Sequence, residues 1–182
     1  MRYESGGFPE VLDVVTIEMN SSQPASHQSE NHQIDPESRW KQGPRVTWDE
    51  LQAAVDGPDG TLWLNESSSF YGTNDRVPAS RADGLLRSLY LIRPKGLKIS
   101  VQLEGRDLFS TPKPKVRAEF TLNGHSYCVS VTDLVAEEIA LRTPEKEWDI
   151  PDGLICMSLG EDFNGYLYKL AAAVITPDRY GE

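Results

Sequence analysis

Two Asn-Gly pairs, Asn123-Gly124 and Asn164-Gly165, lie near runs in which apolar and polar residues alternate. Both central residues of a type I′ turn need positive φ, which Asn and Gly tolerate, so such a pair between alternating runs marks a hairpin. Before the first pair, Leu97, Ile99, Val101 and Leu103 alternate with Lys98, Ser100, Gln102 and Glu104, and Val116, Ala118, Phe120 and Leu122 alternate again. Tyr127, Val129 and Val131 resume beyond it. This two-residue period predicts three half-buried strands. Thr132 or Asp133 then caps a short helix through Leu141. Strands from Leu154 to Leu159 and from Leu167 to Ile175 follow, joined by residues 160–165.

Three strands, a helix and two strands is the order of the OB-fold. That small Greek-key barrel binds oligonucleotides or oligosaccharides on its second and third strands and on the loops joining strands 1–2 and 4–5. The first half of the chain is less regular. Leu12 to Met19 reads as a strand, bulged where Val14 and Val15 adjoin. Residues 20–44 form a polar stretch long for a loop in a compact domain. Thr47 and Glu50 make a capping box ahead of Trp48, Leu51 and Val55, with Gly57 as a stop. Leu62-Trp63-Leu64 suggests a short strand, residues 67–76 a polar loop, residues 80–86 a helical turn, and Leu89 to Ile92 a strand turned by residues 94–96 into the barrel.

With 28 acidic against 18 basic side chains the net charge is −10, a poor composition for binding naked polyanion uniformly. The charge is uneven, however. Between residues 95 and 131, Lys95, Lys98, Arg106, Lys113, Lys115 and Arg117 outnumber Glu104, Asp107 and Glu119, and this island coincides with the first loop and second strand of the barrel. The 2 cysteines, Cys128 and Cys156, lie in apolar strands and make neither a disulfide framework nor a zinc site, as expected of a reduced, cytoplasmic setting. No apolar run is long enough to cross a bilayer, and residues 1–9 are too polar for a secretory signal, so no membrane association is expected.

Arg106 and Phe109, with Lys113, Lys115 and Arg117, place cations and one aromatic where an OB barrel holds its ligand. Single-stranded nucleic acid wants both, since phosphates need positive charge and splayed bases need a π-face. A solvated loop with Phe109 plugging the barrel mouth accounts for the same residues. His125 on the third strand extends the platform, while Tyr127 reads as core beside Phe120. Tyr71, Asn74, Asp75 and Arg76 suit a phosphate or a base edge, because Arg and Asn are the usual bidentate groups. A turn with Arg76 paired to Asp75 or Glu66 explains them equally well. Ser158, Glu161 and Lys169 invite a Ser-Lys catalytic reading, but no nucleophile elbow accompanies them, and Lys169 is expected to face a ligand or an acidic neighbour. His27, Glu30 and His32 have the wrong spacing for a metal on one helical face, so a hydrogen-bonded loop anchor is expected. No cofactor motif occurs.

The runs Leu12-Asp-Val-Val15, His27-Gln-Ser-Glu-Asn31, Trp48-Asp-Glu-Leu51, Tyr71-Gly-Thr-Asn-Asp-Arg76, Ser158-Leu-Gly160, Gly165-Tyr166 and Tyr168-Lys-Leu170 resemble the dual OB-domain family of bacterial and phage conflict systems. The resemblance implies a mainly β chain with short helices, forming two OB-like small β-barrels in tandem over residues 1–94 and 95–182. It also implies a role in recognising nucleic acid. Family members begin with a further segment carrying the first strands of the N-terminal barrel. The second barrel is therefore expected complete, and the first incomplete, open-edged or completed by another chain. Two function classes follow. One is a non-catalytic module that binds single-stranded nucleic acid or a nucleotide in a defence or counter-defence assembly. The other is an acidic protein-interaction subunit that docks on a basic partner from the same system.

Overall fold

The computed structural model describes residues 2–105 and 111–180. In the first half, alternation yields less than the sequence promised. The strand expected over Leu12 to Met19 divides into β1 (Asp13–Thr16) and β2 (Met19–Ser22), because β1 pairs with β4 (Lys41–Arg45) while β2 turns away to pair with β3 (His32–Ile34). The polar stretch 20–44 is thus partly strand. Its residues are polar because both two-stranded ribbons are solvated on most of their surface. Helix α1 (Trp48–Ala53) starts on the expected capping box: the Glu50 amide donates to Thr47 Oγ1 (3.3 Å) and the Thr47 amide to Glu50 Oε2 (2.9 Å).

Leu62-Trp63-Leu64 is not a strand. Trp63 has φ 53°, and Leu62 and Trp63 are buried against the barrel core. The Leu62 amide donates to Tyr127 Oη (3.0 Å) and the Trp63 indole to the Arg87 carbonyl (2.8 Å), so these apolar residues plug the barrel. The polar loop after them ends in a strand that alternation does not mark, β5 (Arg76–Pro78), followed by a 3₁₀ turn at Ala79–Gly84.

The second half follows the OB order. Strands β6 (Leu89–Ile92), β7 (Lys95–Glu104), β8 (Lys113–Leu122) and β9 (His125–Val131) precede helix α2 (Leu134–Arg142), and β10 (Glu147–Asp149), β11 (Leu154–Phe163), β12 (Tyr166–Ile175) and the short helix α3 (Pro177–Tyr180) follow. The sheet runs β10-β7-β8-β9-β12-β11-β6, with β9 and β12 parallel and its other neighbours antiparallel. Closure comes from an unexpected quarter. β11 pairs with β6, and only Arg93-Pro94 separates β6 from β7, so β6 and β7 act as one bent first strand that touches the fourth strand with one half and the second with the other. Proline lacks the amide a continuous ladder would use, which makes it suitable at that bend.

Both Asn-Gly turns are tight, with positive φ at Asn123, Gly124, Asn164 and Gly165. The last connection is shorter than expected, since β11 continues to Phe163 and only two residues turn. β5 and β6 join this sheet from before residue 95. A second small cluster, Leu12, Leu51, Leu154 and Ile175, packs the N-terminal half onto the ends of β11 and β12. Among the described residues no helix is long and apolar enough to cross a membrane.

Candidate ligand face and buried charge cluster

β9 and β12 are bonded in parallel only at Ser130-Val131 and Leu170-Ala171. Towards their N-terminal ends residues 73–78 lie between them: Thr73 exchanges two backbone hydrogen bonds with Cys128, and the Lys169 amide donates to the Asp75 carbonyl (2.8 Å). This inserted segment brings four charged side chains together. Asp75 is buried, accepts from the amide and hydroxyl of Ser69, and lies 3.7 Å from Arg117. Gly72 makes this possible, because a Cβ there would stand 2.0 Å from the Asp75 carboxylate. Arg117 is only 5% exposed and grips Glu104 with two nitrogens, at 2.7 and 2.9 Å.

Lys169 alternates with the core residues Leu167 and Ala171 and is 1% exposed. Its Nζ donates to Asn65 Oδ1 (2.8 Å) and lies 5.2 Å from the Tyr127 ring centroid. Desolvation pushes its pKa down to about 7, against the opposing pull of Asp75. The Tyr127 hydroxyl accepts from Asn65 Nδ2 as well as from Leu62, and its ring stacks on Phe120. Lys169 and Arg117 therefore serve the interior; neither reaches outward to a ligand.

The remaining candidates disperse. Arg106 and Phe109 lie outside the described residues. Lys113 and Lys115 are exposed at the start of β8, whereas His125 is exposed at the far end of the same hairpin, about 20–25 Å from Lys115 at strand spacing. Asn74, with φ 49°, ties its loop to β9, donating from Nδ2 to the Ser126 carbonyl. Arg76 pairs with neither Asp75 nor Glu66. Its Nε donates to Ser67 and its guanidinium covers the Tyr166 ring at 3.8 Å, while Glu66 holds Arg81. His27 is buried with Nε2 on the Leu159 carbonyl (3.2 Å), and His32 bonds the Glu30 carbonyl.

What gathers around Lys115 is a groove of about 560 Å³ between β8–β9, the start of α2 and the β11–β12 hairpin. Phe163 and Tyr168 stand on its hairpin wall, edge to face at 6.3 Å, with Ser130 on its floor and Leu134 and Glu137 at its helical rim. Phe163 is 65% exposed. This is where an OB barrel presents strands 2 and 3 and the loop between strands 4 and 5. Phe163 and Tyr168 are not among the ligand candidates that the sequence offers. An aromatic directly before an Asn-Gly turn was the available signal, since hairpin tips rarely have a core to bury one.

A family model described as a dual OB-containing domain matches residues 1–174. No curated protein and no solved structure matches the chain.

Proposed function

We propose, on the premise that this chain belongs to the dual OB-containing domain family and is an OB-fold binding module, that it is non-catalytic and that its ligand is single-stranded nucleic acid or a nucleotide held in the Lys115–Phe163 groove. The carrying observation is the exposed Phe163 ring braced by Tyr168 across from Lys115, in the OB ligand position. Stacking supplies about 1–3 kcal/mol per base and tolerates any sequence. Lys113 and Lys115 supply phosphate contacts, and the acidic remainder of the chain limits the affinity. Against catalysis stands the commitment of Lys169 to Asn65 inside the barrel. The setting we propose, on the resemblance alone, is a defence or counter-defence assembly of bacteria or phage with a protein partner of the same system.

The test is binding of a labelled single-stranded oligomer at low salt. Phe163→Ala should weaken binding roughly fivefold or more at an unchanged salt slope, because stacking releases no counterions. Each of Lys113→Glu and Lys115→Glu should flatten that slope by about 0.7. An oligomer that binds equally well to all three variants would remove nucleic acid from this face.

A further inference from the structure

Arg76 stands beside the hairpin wall of the ligand face and holds no carboxylate. Pairing sets its position: Arg76 opposes Tyr168 in the antiparallel β5–β12 ladder, and residues directly opposite project on the same face of a sheet. Phe163 opposes Tyr166 across the β11–β12 turn, and Tyr166 and Tyr168, two residues apart, share a face. Leu167 and Lys169, which alternate with them, are buried on the core side, so Phe163, Tyr166, Tyr168 and Arg76 all stand on the outer face. The Arg76 guanidinium lies over the Tyr166 ring, 3.8 Å from its centroid, and its Nε donates to Ser67 Oγ (2.9 Å).

These two contacts fix the guanidinium without neutralising it. Among the described residues its Nη1 and Nη2 make no hydrogen bond or ion pair. The carboxylates near it in sequence are engaged elsewhere, Glu66 with Arg81 and Asp75 with Ser69. An arginine held on a ring with both terminal nitrogens open has given up side-chain freedom in advance, and its fork matches two oxygens of one phosphate. A protein carboxylate fits the same fork, but the exposed Phe163 ring beside it favours a ligand that carries planar bases as well as anions. Arg76 also bears on the length of that ligand. Its partner Tyr168 comes two residues before Leu170, which aligns with Ser130; Ser130 opposes Arg117, two residues beyond Lys115. Lys115 and Arg76 are thus four residues apart along the strands and at least two strands apart across the sheet, about 15–20 Å at strand spacing. The phosphates of one nucleotide are contiguous and cannot reach both.

We infer that Arg76 is a second phosphate site of the ligand face, so that the ligand is a single strand several nucleotides long, laid from Lys115 past Phe163 and Tyr168 to Arg76, rather than a free nucleotide. The inference rests on the nucleic-acid reading proposed above and narrows it.

The probe is a labelled hexathymidylate titrated into the full chain over a low-salt series, with thymidine monophosphate as competitor. The hexamer should bind, and the monophosphate should compete at least tenfold more weakly, because it meets one cation at a time. Arg76→Gln should weaken the hexamer roughly tenfold and flatten the dependence of log K on log salt by about 0.7. Adding Lys115→Gln should bring the total flattening to about 1.4, two counterions. Arg76→Lys should keep the slope but lose affinity severalfold, since an ammonium keeps the charge and not the fork. Strand length gives a check that needs no substitution: the slope for a thymidine dinucleotide should be lower than that for the hexamer by about 0.7 or more. An Arg76 that only braced Tyr166 and Ser67 would weaken binding at an unchanged slope, and that result overturns the inference. So does a monophosphate that competes as well as the hexamer, or a slope that does not grow with strand length. If Phe163→Ala weakens the hexamer while Arg76→Gln leaves affinity and slope untouched, Arg76 is no phosphate site and the nucleic-acid reading stands. If the hexamer does not bind the wild type, or binds Phe163→Ala equally well, that reading falls and this inference with it.

Discussion

Replacing Lys169 by Met should raise stability at pH 7 and lower it above pH 10. In the folded chain the amine loses its proton near pH 7, against an ordinary 10.5, because the barrel interior desolvates it. Between those values the unfolded chain holds one proton more than the folded one, so wild-type stability rises with pH by about 1.4 kcal/mol per unit, approaching about 5 kcal/mol across the interval. Below pH 7 both states are protonated and the slope vanishes. Met is close to isosteric and carries no proton, so the variant lacks this rise. It leaves Asn65 Oδ1 without its partner, which costs about 1–3 kcal/mol at every pH. The variant should therefore lead the wild type by about 2–4 kcal/mol at pH 7, with the two curves crossing near pH 9. Urea denaturation followed by tryptophan fluorescence at pH 7, 8, 9 and 10 measures both curves. Taking the difference between them removes other titrations, including that of Cys128, whose thiol burial pushes up to about 11. Parallel curves for wild type and variant would refute the placement of Lys169 inside the barrel.

Arg117→Met should cost about 3–5 kcal/mol in urea unfolding, because Glu104 and Asp75 would be left buried without their cation. Gly72→Ala should destabilise by about 2 kcal/mol or more, since the added methyl takes the space of the Asp75 carboxylate; thermal unfolding of the single variant reads it. Thr47→Ala removes one partner of the capping box on α1 and should cost about 1 kcal/mol in the same measurement.

Period-two alternation and two Asn-Gly turns are local properties, and they sufficed to place β7, β8, β9, β11, β12 and the helix between them in OB order. The capping box at Thr47 was legible for the same reason, since its two hydrogen bonds join residues three apart. Tertiary structure alone decided how the barrel closes, because the role of β6 depends on β11, more than sixty residues away. It decided that Leu62 and Trp63 plug rather than pair, and that residues 73–78 fill the gap between β9 and β12. It also decided which cations are available. A sequence shows that Lys113, Lys115, Arg117 and Lys169 are charged; only the fold shows that Glu104 holds Arg117 and Asn65 holds Lys169, while Lys113 and Lys115 meet water. The physical reason is range: backbone geometry is set by neighbours along the chain, whereas burial and charge pairing are set by neighbours in space.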